Sequence, residues 1–118
     1  MDLDTYELVL LRRPPDAAAY PDAELDRIQD RHLAFLDEQR EAGLLVLAGP
    51  VWDQPDESFR GICLYRVGDL ARARTIAEGD PAVLARRLAV DVMHFACPAG
   101  TITALPHAVP DRTDGAER

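Results

Sequence analysis

Lysine is absent from the 118-residue sequence, and cysteine occurs only twice. The basic residues are therefore all arginine, 13 of them against 21 acidic residues, for a formal charge of −8. The lysine-free, alanine-rich composition points to a GC-rich genome and carries no chemistry of its own. A field of that sign repels a phosphate backbone, and no basic stripe with interleaved aromatics offsets it, so no nucleic acid is expected as a partner. Cys63 and Cys97 lie in apolar, strand-like runs without Cys-x-x-Cys spacing, and are read as buried reduced thiols. No apolar run approaches the roughly 20 residues that cross a bilayer, so no membrane association is expected. Met1-Asp2-Leu3-Asp4 lacks the charged-then-apolar pattern of a signal peptide, which makes the cytoplasm the expected location. Phosphate-binding glycine loops, dinucleotide fingerprints and haem or iron–sulfur spacings are also missing, so no cofactor is expected.

What remains is a hydrophobic fraction of 47%, ordinary for one globular domain of this length. Thr5 to Arg12 is a strand-length apolar run stopped by Pro14-Pro15. Asp22 is the expected cap of a helix over Ala23 to Ala42, whose apolar residues fall at helical period and which Gly43 ends. A second strand covers Leu44 to Ala48, closed by Gly49-Pro50, and a loop covers Val51 to Ser58. Phe59 to Val67 is the third strand, with Ile62 and Leu64 on one face and Cys63 and Tyr65 on the other. Asp69 caps a second helix to Glu78, Pro81 opens a short further turn, and Leu88 to Cys97 is the fourth strand. The order β-α-β-β-α-β predicts an α+β, ferredoxin-like domain over residues 1–97, with two helices on one face of a four-stranded antiparallel sheet. Residues 98–118 have no periodicity and are expected to form an irregular arm or tail.

The strands are apolar on both faces, whereas an antiparallel sheet with one wet face alternates. No third layer is present to cover the second face, so a homodimer formed through the open sheet is expected.

Two residues stand out chemically. His32 falls near the centre of the apolar face of the first helix, where an imidazole must find a hydrogen-bond partner. Asp80 precedes Pro81, which pushes its backbone out of the helical region and lets its carboxylate cap the following turn. A carboxylate has two oxygens, so one can cap while the other holds an imidazole. A structural histidine and a simple cap are the plainer readings of the two positions. His94 on the fourth strand, Trp52 in the loop after Pro50 and Arg12 at a strand end are candidates for contact with a small-molecule ligand. Arg60 and Arg66 are further strand arginines suited to a substrate carboxylate. A metal site of His32, Asp80 and His94 has no ligand spacing to support it, and none is expected.

Three patterns, His32-Leu33-Ala34-Phe35-Leu36, then Gly43-Leu44-Leu45 through Ala48-Gly49-Pro50, then Asp80-Pro81, resemble the YciI-like (YCII-related domain) family. The resemblance spans residues 5–97. It implies a dimeric α+β barrel and a histidine–aspartate pair, matching His32 and Asp80, proposed in that family as the active site. Such a pair supports proton transfer, because the carboxylate orients the ring and stabilises its protonated form while burial opposes that charge. The expected function is thus a cofactor-independent lyase or isomerase acting on a small organic acid or lactone-like substrate. The alternative is a non-catalytic dimer that binds a small ligand or regulates. A cofactor-free oxygenase is a third possibility.

Overall fold

The computed structural model describes residues 1–103. The elements run β1 (Leu3–Arg12), α1 (Asp22–Glu41), β2 (Leu45–Pro50), β3 (Phe59–Tyr65), α2 (Leu70–Glu78), α3 (Pro81–Leu84) and β4 (Ala89–Pro98). The strands form one antiparallel sheet in the order β2-β3-β1-β4, which is the ferredoxin-like α+β fold. β1 and β3 take the centre of the sheet, with β2 and β4 at its edges.

One face lies under the helices. Val9, Leu11, Leu45, Cys63 and Tyr65 pack there against Ile28 of α1, Ala73 and Ala77 of α2, and Ala82 of α3. On the other face Tyr6, Leu64 and Cys97 form a smaller cluster with Leu8 and Val46 beside it. That face has no layer above it among the described residues, and Leu47 and Phe95 remain 41% and 42% exposed. Tyr6 is nonetheless buried, in part because the Arg66 guanidinium lies 5.2 Å from its ring centroid. Both cysteines are buried, on opposite faces of the sheet.

Several boundaries differ from the sequence expectation, each for a local reason. Asp22 does not cap α1: Pro21 holds that position with no side-chain cap, and Asp22 is the first helical residue. With Glu24 it places negative charge in the first turn, where the helix dipole favours it. Gly43 follows α1 at φ 79°, the left-handed conformation expected of a glycine past a helix end. β3 stops at Tyr65, two residues early, because the amides of Val67 and Gly68 donate to Glu7 Oε1 at 2.7 and 3.1 Å instead of continuing the ladder. β2 begins at Leu45 and runs on to Pro50, so that Gly61 lies opposite Pro50. A Cβ on Gly61 would stand 2.7 Å from the Gly49 carbonyl oxygen, so only glycine allows the two strands to approach there.

β4 continues to Pro98, after which the Ala99 and Gly100 amides donate to Asp2 O and Asp4 Oδ2. The arm expected over 98–118 lies beyond this point, mostly outside the described residues. Among the described residues no helix is long and apolar enough to cross a membrane.

Candidate active site

His32 is one turn beyond Ile28 on α1, and these are the two buried residues of that helix. Its ring points down between α1 and α3. Asp80 has extended backbone angles, φ −60° and ψ 129°, as its place before Pro81 requires. Its Oδ1 accepts the Ala82 amide at 2.9 Å, capping α3, and its Oδ2 lies 2.6 Å from His32 Nδ1. Both residues are about as buried as a core leucine, at 1% and 2% exposure. An ionised carboxylate only accepts, so Nδ1–H donates to Asp80 and the ring carries its proton there. Nε2, also buried, is then the atom with a lone pair to offer. Tyr65 packs in the same core, and burial, followed by the charges of Cys63 and Asp80, holds its hydroxyl well above the usual phenol range. It remains a neutral phenol throughout the physiological range.

His32 and Leu11 line two cavities at once. The first is a tight recess of about 20 Å³, bounded by Ile28 and Gln29 of α1, by Leu88, and by Arg13, Arg60 and Arg87. That is room for one water-sized group. The second is a groove of about 290 Å³ between α1 and β2, walled by Leu33, Leu36, Leu45, Leu47 and Ile62, with Asp37 and Arg40 on its helix side. Its size is near the lower end for small-molecule sites.

The three arginines reach the recess by different routes. Arg13 follows the end of β1, where its amide donates to Ser58 O at 2.7 Å and its Nε to Arg87 O at 3.2 Å. Arg87 follows the turn after α3, where Arg86 takes a positive φ of 63°, and Arg87 Nη1 donates to Ala18 O at 2.9 Å. Arg60 is the extra residue of a β-bulge: Leu11 pairs with Gly61 and Arg12 with Phe59, so Arg60 has no opposite number on β1. Strict alternation would place it with Ile62 and Leu64 on the open face. The bulge re-aims it into the recess. At Arg13 burial first, and then the charges of Arg87 and Arg60, lower the pKa to about 10.

Of the residues singled out by sequence, His32 and Asp80 are brought into contact across 48 positions. Trp52, His94 and Arg12 line neither cavity. Trp52 is 70% exposed. His94 lies exposed on β4 opposite Glu7. Arg12 pairs with Asp91 at 2.5 Å and stacks 5.5 Å from the centroid of Phe59. Sequence reasoning passed over Arg13, Arg87 and Gln29. The visible signal was two Arg-Arg steps, 12–13 and 86–87, each at the end of an element.

The family model for the YCII-related domain matches residues 7–96. No curated protein matches the chain. Among solved structures, it is similar to the 5-chloro-2-hydroxyhydroquinone dehydrochlorinase TftG from Burkholderia phenoliruptrix AC1100 in complex with 2,5-dihydroxybenzoquinone. The TM-score is 0.52 at 17% identity, over 75% of this chain and 90% of that one. At that identity the likeness is one of fold.

Proposed function

The chain belongs to the YCII-related domain family, and on that premise we propose that it is a cofactor-independent enzyme of lyase or isomerase type acting on a small organic acid or lactone-like molecule. The observation that carries the proposal is the buried 2.6 Å bond between His32 Nδ1 and Asp80 Oδ2 where a recess and a groove meet. Asp80, itself held by the Ala82 amide, sets the tautomer and direction of the ring. Nε2 then takes a proton from a substrate lying in the groove and returns it at another position or to a leaving group. The apolar walls supply a dry surface for a small carbon skeleton. The fold-level neighbour is named as a dehydrochlorinase, an elimination on a small ring, which agrees with this class of reaction. The same reading has a second copy of the chain covering the open sheet face, supported by the exposure of Leu47 and Phe95 there. A single-chain mass in sedimentation equilibrium would remove that part of it.

The direct test is the titration of His32 followed by NMR, in the wild type and in Asp80→Asn. The titration is expected to move when the carboxylate is neutralised. In a turnover assay on small hydroxy acids, lactones and hydroxyquinones, His32→Asn is expected to lose about 10²–10⁴-fold. A variant with unchanged turnover would show that the ring does not move the proton, and the ligand-binding reading would replace this one.

A further inference from the structure

We infer that the recess is an anion site: Arg13, Arg60 and Arg87 hold one negatively charged oxygen of the substrate, a carboxylate or an ionised phenol or enol, against His32. The inference rests on the proposed proton-transfer reading for the role of His32, but the anion site stands on its own observations.

The first is the contrast with the other arginines. Arg12, Arg27, Arg31, Arg40, Arg66 and Arg86 each sit within ion-pair distance of a carboxylate. Arg60 and Arg87 pair with none among the described residues although both are part-buried, in a chain where acidic residues outnumber basic ones by 21 to 13. Arg72 and Arg74 also pair with none among the described residues, but they stand exposed on α2. No carboxylate is among the residues that line the recess.

The second is convergence. Three like charges around a space for one water-sized group repel one another, a cost that a bound anion converts into attraction. The third is a buried donor. Arg60 Nε is shielded from solvent and has no hydrogen-bond partner among the described residues. Buried donors are nearly always satisfied, and a ligand oxygen would do so here. The fourth is preorganisation: Arg13 Nε and Arg87 Nη1 are tied to backbone carbonyls, which leaves their orientation set before any ligand arrives.

Because His32 and Leu11 border both cavities, an oxygen seated in the recess directs the rest of its molecule over the ring and along the groove. Guanidinium charge at that oxygen also stabilises negative charge that builds up as a neighbouring proton leaves. Specificity for anionic substrates would arise there, while the groove selects by size and apolarity.

Formate is a probe that can seat one charged oxygen in the recess, and formamide is its uncharged counterpart. Formate added to the full chain is expected to shift the arginine Nε–H signals of Arg60 and Arg87 in NMR spectra to saturation, and formamide is not. Arg60→Gln is expected to weaken formate binding about tenfold or more, the effect of losing a charge-assisted hydrogen bond. Arg60→Lys should recover part of it, and the solvent-exposed control Arg72→Gln should leave it unchanged. Without formate, Arg60→Gln is expected to melt at the wild-type temperature or above, since one of three repelling charges is gone. Equal responses to formate and formamide, or full formate binding in Arg60→Gln, would overturn the site. So would a marked loss of stability in Arg60→Gln, which would make the arginine structural. His32 titration in the same samples separates the two proposals. Saturable formate binding without His32–Asp80 coupling removes proton transfer and keeps the anion site. Coupling without formate binding does the reverse.

Discussion

Two histidine–carboxylate neighbourhoods occur among the described residues, and they are built for different ends. His32 meets Asp80 across the helix layer, while His94 on β4 lies directly opposite Glu7 in the β1–β4 ladder. Asp80 and Glu7 are equally buried, at 2% and 1% exposure. Yet Glu7 uses Oε1 to accept two backbone amides of the turn after β3, and His94 stays in solvent without a hydrogen bond to it. Asp80 divides its oxygens, one to the Ala82 amide and one to an imidazole. A buried carboxylate is therefore not a mark of a site. What its oxygens accept decides whether it clamps backbone or orients a ring.

Removing each partner in turn should reproduce that contrast as a ladder of stability, read by urea denaturation. Asp80→Ala is expected to cost most, about 3–5 kcal/mol, because it strands a buried imidazole and uncaps α3 together. Glu7→Ala should cost about 1–3 kcal/mol by leaving the Val67 and Gly68 amides without their acceptor. Glu7→Gln should return much of that loss, since an amide oxygen accepts from the same two donors. A Glu7→Ala loss as large as that of Asp80→Ala would erase the distinction between clamp and dyad. His94→Ala should fall within about 0.5 kcal/mol of wild type, as surface substitutions do. A larger loss would mean that the Glu7–His94 pairing matters in solution.

The smallest effects belong to carboxylates at the surface. Glu24 is held below its usual pKa by hydrogen bonds from Arg27 and Arg31, and Asp56 by the Ser58 hydroxyl and amide. A lowered folded value gives stability that is present above the unfolded pKa and fades as pH falls through the folded one. Glu24→Gln should therefore lose a small increment at neutral pH, become silent at acid pH, and so slightly flatten the acid side of the stability profile. At the alkaline end Arg13 gives a slope of the same sign. Its lowered pKa means that the folded chain releases a proton near pH 10 while the unfolded chain still holds it, which favours folding as pH rises.

Much of the fold was legible because it depends on period and punctuation. Apolar runs broken by Pro14-Pro15, Gly43, Gly49-Pro50 and Gly79 located the strands and helices in order, and Asp69 does cap α2, accepting the Ala71 amide at 2.8 Å. The split of β3 into two faces also follows from alternation: Cys63 and Tyr65 lie under the helices, and Leu64 lies on the far side. Asp22 was misplaced because a preceding proline can take the cap position by backbone angles alone, with no side chain to reveal it. The early end of β3 was hidden for another reason. Its last amides turn to a glutamate 60 positions away, a partner that no local pattern can contain.

The candidate site divides in the same way. His32 on an apolar helix face and Asp80 before a proline are local facts, readable from spacing and from the conformation that proline imposes on its neighbour. So are the charge balance and the missing lysine. The contact between the two residues, the recess and the gathering of Arg13, Arg60 and Arg87 exist only in three dimensions. Arg60 makes the reason plain, because periodicity assigns it to the open face and a single unpaired residue in the β3 ladder sends it to the other. One residue of register reverses the face of a strand side chain, and register is a property of the paired strands, not of either one alone.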